Sequence, residues 1–234
     1  MAVTACIAPG HNVTSCVVRE LIERSVRGSV ELPEFSREVA LKLKELKVDV
    51  ALIERYLKEL QEAMKAAYPM VYRIDLELQT PLVVHVRSPY MPLEIGIAWH
   101  PYFNAPYIPA TSIKGALRAG AGGPLCGRSP AELFGDVGSA GEAAVTDAFP
   151  TASDVLSADV ITPHYKEPDF RETSARPTPL VFPVARPGAT FAFLMGLEFP
   201  CDYAEFHRYV AAALREGLGA KTRVGYGIVK LKQS

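Results

Sequence analysis

No apolar run of 18 residues occurs in the chain, which excludes a membrane-crossing helix of ordinary length. Its opening stretch, MAVTACIAPGHNVTSC, lacks the basic start and unbroken apolar segment of a secretory signal, so a cytoplasmic location with no membrane partner is expected. Net charge is nearly absent as well. With 25 Lys and Arg against 26 Asp and Glu, the formal charge of −1 gives the whole molecule no attraction to nucleic acid, and any polyanion site has to be a local patch. Cysteine is scarce. Cys6, Cys16, Cys126 and Cys201 contain no C-x-x-C pair, so neither a metal site nor a cofactor is expected. Buried free thiols are the expected state, with a disulfide credible in a hyperthermophile's protein. The G-x-x-x-x-G-K phosphate loop, the G-x-G-x-x-G dinucleotide fingerprint and the G-x-S-x-G elbow are all missing.

What is present is a change of period. From Asp49 to Ala67, Ile53, Tyr56, Leu57, Leu60 and Met64 recur at steps of three and four, an amphipathic helix with Glu54 and Lys58 spaced to pair and Pro69 to stop it. Beyond Pro69, Ile74, Leu76 and Leu78 alternate with Arg73, Asp75 and Glu77, as in a half-buried strand. Residues 1–67 therefore form a helical appendage, and residues 68–234 form the main domain. Between 80 and 188 prolines and glycines recur, and TPHYKEPDFRETSARPTP reads as an extended surface loop. Regularity returns with Phe191, Phe193, Met195, Leu197 and Phe199 on one strand face, then a helix from Asp202 to about Glu216 with Glu205 completing its cap, then the strand GIVKLK. This order predicts an α+β, ferredoxin-like fold: an antiparallel sheet with helices on one face, plus the N-terminal helical segment and long loop insertions.

Two stretches carry chemistry. In YIPATSIKGALRAG (107–120), Thr111 or Ser112 is placed to cap a short helix, Ile113 and Leu117 share its buried side, and Lys114 and Arg118 share a neighbouring face. Near a helix start, unpaired N–H groups already favour phosphate, which those cations would reinforce. In GAKTRVGYG (219–227), Lys221 and Arg223 stand among glycines, Gly225 and Gly227 permit positive φ or a close backbone approach, and Tyr226 offers a flat face. Neither Gly96–Ala131 nor Gly217–Ser234 contains an acid, so the two stretches are expected to form one RNA-facing surface. Trp99 and Tyr226 are the stacking candidates, with His100 beside Trp99 in the RNA-contacting set. Histidines His11, His85, His100, His164 and His207 have no partner at a recognisable spacing, and no catalytic residue is assigned. Asp147 reads as a local turn or cap.

In order and spacing, YIPATSIKGALRAG, ELFGD (132–136), AAVTDAFP (143–150) and GAKTRVGYG resemble the RAMP superfamily of CRISPR-associated RNA-binding proteins. Within it, GIAWHPYFNAPYIPATSIKGALR, ADVITPHYKEPDF and PTPLVFPVARPGATFAF are most similar to the sixth-subunit family of the type III-B effector, the Cmr complex. The resemblance implies an RRM-like RAMP fold, a non-catalytic role near the 3′ end of CRISPR RNA, and target RNA and other effector subunits as partners. It places the family's RNA-contacting cations on Lys114 and Arg118 and on Lys221 and Arg223. Two alternatives stay open: a RAMP endoribonuclease using His85 or His100 on guide precursors, and a protein-interaction scaffold with incidental RNA contact.

Overall fold

The computed structural model describes residues 7–8, 10–28, 30–84, 86–88, 90–162 and 179–232. His85, His164, Cys6 and nearly all of the expected loop over 162–179 lie outside them. Three helices open the chain: α1 (Val13–Arg27), α2 (Leu32–Leu43) and α3 (Val50–Ala67). The Asn12 side chain caps α1 by accepting from the Ser15 N–H, and Asp49 caps α3 by accepting from the Ala51 N–H. Tyr68, in extended conformation before Pro69, ends α3 where the sequence places the stop. Glu54 does not pair with Lys58 as its spacing suggests. It receives both ends of the Arg73 guanidinium at 2.9 Å, and Asp75 takes the remaining donor edge. A bidentate, half-buried Arg fork outcompetes an exposed i,i+4 lysine, whose pairing contributes only tenths of a kcal/mol.

The strands follow from β1 (Met70–Leu78), through the short β2 (Trp99–His100) and β3 (Ala105–Pro106), to β4 (Ala143–Val145), β5 (Phe149–Pro150), β6 (Leu156–Ile161), β7 (Leu180–Ala185), β8 (Thr190–Leu197) and β9 (Val229–Leu231). Helices α4 (Ala110–Gly120), α5 (Pro130–Phe134) and α6 (Tyr203–Ala213) are interleaved. The main sheet is antiparallel in the order β4-β8-β1-β9, with β5 also pairing β8. Counting β1, β4, β8 and β9 as first to fourth, this is the fourth-first-third-second arrangement of a ferredoxin-like sheet, with α4 and α6 as its two crossovers.

One face of β1 and β8 carries Tyr72, Ile74 and Leu76 beside Met195, Phe193 and Phe191. Helix α6 lies on this face, its Phe206 ring stacked on Tyr72 at 4.2 Å. The other face carries Arg73 and Asp75 beside Leu194 and Ala192, and α3 covers it. Gly196 belongs there because a Cβ would collide with the Tyr68 ring and the Met64 methyl. Covered on both sides, β8 reads FAFLMGL, a nearly continuous apolar run. Phe191 and Phe193 are 1% and 0% exposed, each contributing about 1.5–3 kcal/mol by burial. The buried side chains of α1, α2 and α3 belong to the same continuous cluster as the sheet's, and α2 packs across the β6–β7 hairpin.

The expectation of free thiols does not hold: no described cysteine, Cys16 included, is a free thiol, and the pairing is visible for Cys126 and Cys201. They form a disulfide with Cα atoms 5.5 Å apart, joining the turn after α4 to the entrance of α6. The sequence hides this pairing because 75 residues separate the two, and only the packing of α4 against α6 brings them together.

Candidate nucleic-acid interface

Helix α4 begins without a cap of its own. Pro109 occupies the N-cap position, and neither Thr111 nor Ser112 caps the start; instead the Asp147 carboxylate, from the turn after β4, accepts from the Ala110 N–H at 2.6 Å. Asp147 is thus a cap, as its residue type suggests, but across the chain rather than within its own strand. It also puts a negative charge at the end of the helix where sequence reasoning expects a phosphate. Ile113 and Leu117 are fully buried.

The glycine-rich segment is held by its backbone. Gly217, Gly219, Gly225 and Gly227 all have positive φ, and Lys221 joins them at φ +63. The Leu218 N–H donates to the Gly227 carbonyl, the Gly227 N–H to Pro81, the Ala220 N–H to Val83, and the Tyr226 N–H to Lys221. These bonds lash the loop to the chain just after β1. Thr222–Val224 forms a single 3-10 turn at its tip, which leaves the Arg223 and Val224 side chains exposed. Gly219 opens the GAKTRVGYG stretch, and Gly217, two residues before it, extends the same left-handed backbone toward α6.

Between α4 and this loop runs a groove of about 450 Å³, lined by Ser112, Ala116 and Gly120 on the helix and by Gly217, Gly219 and Thr222 on the loop. The two motif stretches are therefore neighbours. The four cations, however, do not share one surface. Ser112, Ala116 and Ala119 recur at i, i+4 and i+7 and face the loop, whereas Lys114 and Arg118 project from the far flank of α4 by helical phase. There the Arg118 guanidinium donates to the Gly135 carbonyl at 3.0 Å and pairs with Asp136 at 3.3 Å; the Val137 N–H, and then Arg118, hold that carboxyl below its usual range. The acid-free window thus misleads, because Asp136 of ELFGD comes from outside it. Among the described residues, Lys114, Lys221 and Arg223 have no carboxylate partner.

The aromatic candidates are structural. Trp99 is 4% exposed, and its indole N–H donates to Asn104 Oδ1, which also receives the Val13 N–H at the start of α1. Its ring faces are inside the core, so stacking on a base is corrected to a packing role. His100 lies half-buried, stacked on Phe103 and edge-on to Tyr107 and Phe149, with Nδ1 accepting from the Phe103 N–H. Burial keeps its pKa below the ordinary histidine value, although Asp147 acts in the opposite direction. Tyr226 packs against the small cluster of Val83, Phe182 and Val184, and its hydroxyl donates to Asp159 Oδ2 at 2.7 Å. It anchors the loop to β6 while its ring stays partly exposed.

Desolvation, then the Asp159 bond, push the Tyr226 phenol up to about 12 from 10.0. Because the folded value is raised, its contribution is complete below pH 10 and lost as pH rises through 12. Tyr226→Phe is expected to lower stability at pH 8 by about 1 kcal/mol, the net value of one such bond. Urea unfolding at pH 8 and pH 11 checks this, since the gap between parent and variant should narrow at the higher pH.

A sequence model of the RAMP superfamily matches residues 75–230. The CRISPR system CMR subunit Cmr6 of Saccharolobus solfataricus is 29% identical over 204 residues, spanning 85% of this chain and 72% of that protein. Similarity also extends to a chain in the cryo-EM structure of the Type III-B Cmr-beta bound to cognate target RNA, with a TM-score of 0.68 and 29% identity over 92% of this chain and 73% of that one. The family match runs from β1 through α4 and the glycine loop into β9, the elements that build the groove, and the chain belongs to the RAMP superfamily.

Proposed function

We propose that this chain is a non-catalytic RNA-binding subunit of a type III-B CRISPR effector, holding CRISPR RNA near its 3′ end and helping to place target RNA. The observation that carries the reading is the glycine loop. Its left-handed backbone sits beside the α4 groove and presents Lys221 and Arg223, which have no carboxylate partner among the described residues. Such a surface suits phosphates and 2′-hydroxyls of any sequence. The similarity to Cmr6 and to a chain of an RNA-bound Cmr complex supports the same assignment. Of the two histidines considered for cleavage, His100 spends its Nδ1 on a backbone N–H within an aromatic stack, an environment that does not favour such chemistry.

Binding of single-stranded RNA across a salt series tests the reading. Lys221→Ala/Arg223→Ala is expected to lower the log–log salt slope by about 1.4, at roughly 0.7 per lost phosphate contact, with the same loss for unrelated RNA sequences. Lys114→Ala should add a separate decrement, and Arg118→Ala a smaller one, because its guanidinium is already engaged by Asp136. An unchanged slope in the fourfold variant would refute the assignment.

A further inference from the structure

Among the described residues the sheet ends at β9, with no strand paired on its outer side. The Lys232 N–H donates to the Asp75 carbonyl, and the Gln79 N–H to Ile228, so the even-numbered residues of this strand face β1. Alternation turns the N–H and C=O groups of Val229 and Leu231 outward, where no described residue meets them. Helix α6 overhangs this edge. Between the two lies a groove of about 660 Å³ with an apolar floor of Ala211, Leu214, Val229 and Leu231, placed where the side chains of one more strand would lie. Arg215, Lys230 and Lys232 rim it against a single acid, Glu77.

We propose that β9 is a docking edge for an extended, acidic segment of a neighbouring protein subunit, which adds a strand to the sheet and tucks alternate apolar side chains beneath α6. The open backbone selects the class of partner. Outward N–H and C=O groups at two-residue spacing match another peptide strand, whereas a nucleic-acid backbone offers no alternating donors. Charge selects the type of segment. Edge lysines ordinarily keep a strand solitary by repelling similar edges, and here they disfavour a second copy of this chain, whose own β9 is equally basic. They attract an acidic strand.

The inference rests on membership of a multi-subunit effector. Amide hydrogen exchange is measured on the isolated chain, on the chain with guide RNA alone, and on the effector reconstituted from its co-expressed subunits. The Lys230 and Lys232 amides should be slow in all three states. Those of Val229 and Leu231 should exchange fast in the first two and slow at least tenfold in the effector. Val229→Pro, which removes an outward donor while sparing the ladder to β1, should reduce incorporation at least tenfold with the Lys230 amide still protected. Lys230→Glu/Lys232→Glu should do the same. Protection by RNA alone overturns the proposal in favour of a nucleic-acid edge, and protection that grows with the concentration of the isolated chain overturns it in favour of self-association. Assembly with unprotected Val229 and Leu231 overturns this inference alone, while failure to assemble overturns the proposed function too.

Discussion

Gly227→Ala is expected to lower stability by about 4 kcal/mol or more, whereas Gly225→Ala, two residues earlier, is expected to cost about 1–2 kcal/mol and leave the chain folded. Both glycines are left-handed, at φ +71 and φ +89, so both alanines carry the same backbone penalty. They differ in surroundings. A Cβ on Gly225 meets nothing within 4 Å, but a Cβ on Gly227 overlaps the Leu218 carbonyl oxygen. Leu218 and Gly227 are tied by the Leu218 N–H bond to the Gly227 carbonyl, and Gly227 also donates to Pro81, so no neighbour is free to yield. At roughly 2–4 °C per kcal/mol for a chain of this size, thermal unfolding separates the two variants clearly. RNA titration of the folded Gly225→Ala protein then reports the loop's binding geometry without confusion from unfolding. A melting temperature for Gly227→Ala within 2 °C of the parent would show that the contact with Leu218 does not fix the loop.

The same contrast marks what a one-dimensional reading can reach. Local periodicity exposes β1, β8, α3 and α6, because alternation and the 3.6-residue repeat are written into consecutive side chains. The Asp202 cap was legible for the same reason: its carboxylate accepts from the Ala204 and Glu205 N–H groups. Glu205 was legible only as a cap. In the fold it turns away and accepts from the Cys126 N–H, 79 positions distant in the chain. Every misreading is of this kind. Arg118 looks like a free cation until Asp136 arrives, Trp99 like a platform until Asn104 claims its N–H, and Tyr226 like an exposed ring until β6 supplies Asp159. Partners far apart in sequence are fixed by tertiary packing, and spacing carries no trace of them.

The candidate site was therefore legible as a place and not as a charge map. Glycine spacing located the loop because left-handed backbone demands glycine wherever the chain has no alternative. Lys221 is the exception, at φ +63 without being glycine. The i,i+4 relation of Lys114 and Arg118 correctly put both on one side of α4, but nothing local specified which side the loop would face. That choice belongs to Gly120, where a Cβ would collide with the Ala213 carbonyl and push α6 away from α4.

Replacing the disulfide with alanine, as Cys126→Ala/Cys201→Ala, is expected to lower the melting temperature by roughly 10 °C while leaving the native structure and RNA affinity unchanged. The crosslink spans 75 residues that include α5 and strands β4 to β8. Closing a loop of that length removes enough freedom from the unfolded chain to stabilise the fold by about 4 kcal/mol in the chain-entropy treatment. Alanine is chosen because Cys201 is buried and a serine hydroxyl there would add a desolvation cost of its own. The native turn does not depend on the bond. Glu205 still receives the Cys126 N–H, the Leu125 and Arg128 backbones still exchange two hydrogen bonds, and the Arg128 guanidinium lies 5.4 Å from the centre of the Phe199 ring. The loss should thus appear in the unfolded state, which becomes more expanded, and the urea m-value should rise as the midpoint falls. An unchanged m-value with altered near-ultraviolet dichroism would mean that the crosslink shapes the turn itself, placing its effect on the entrance of α6 instead of on the unfolded chain.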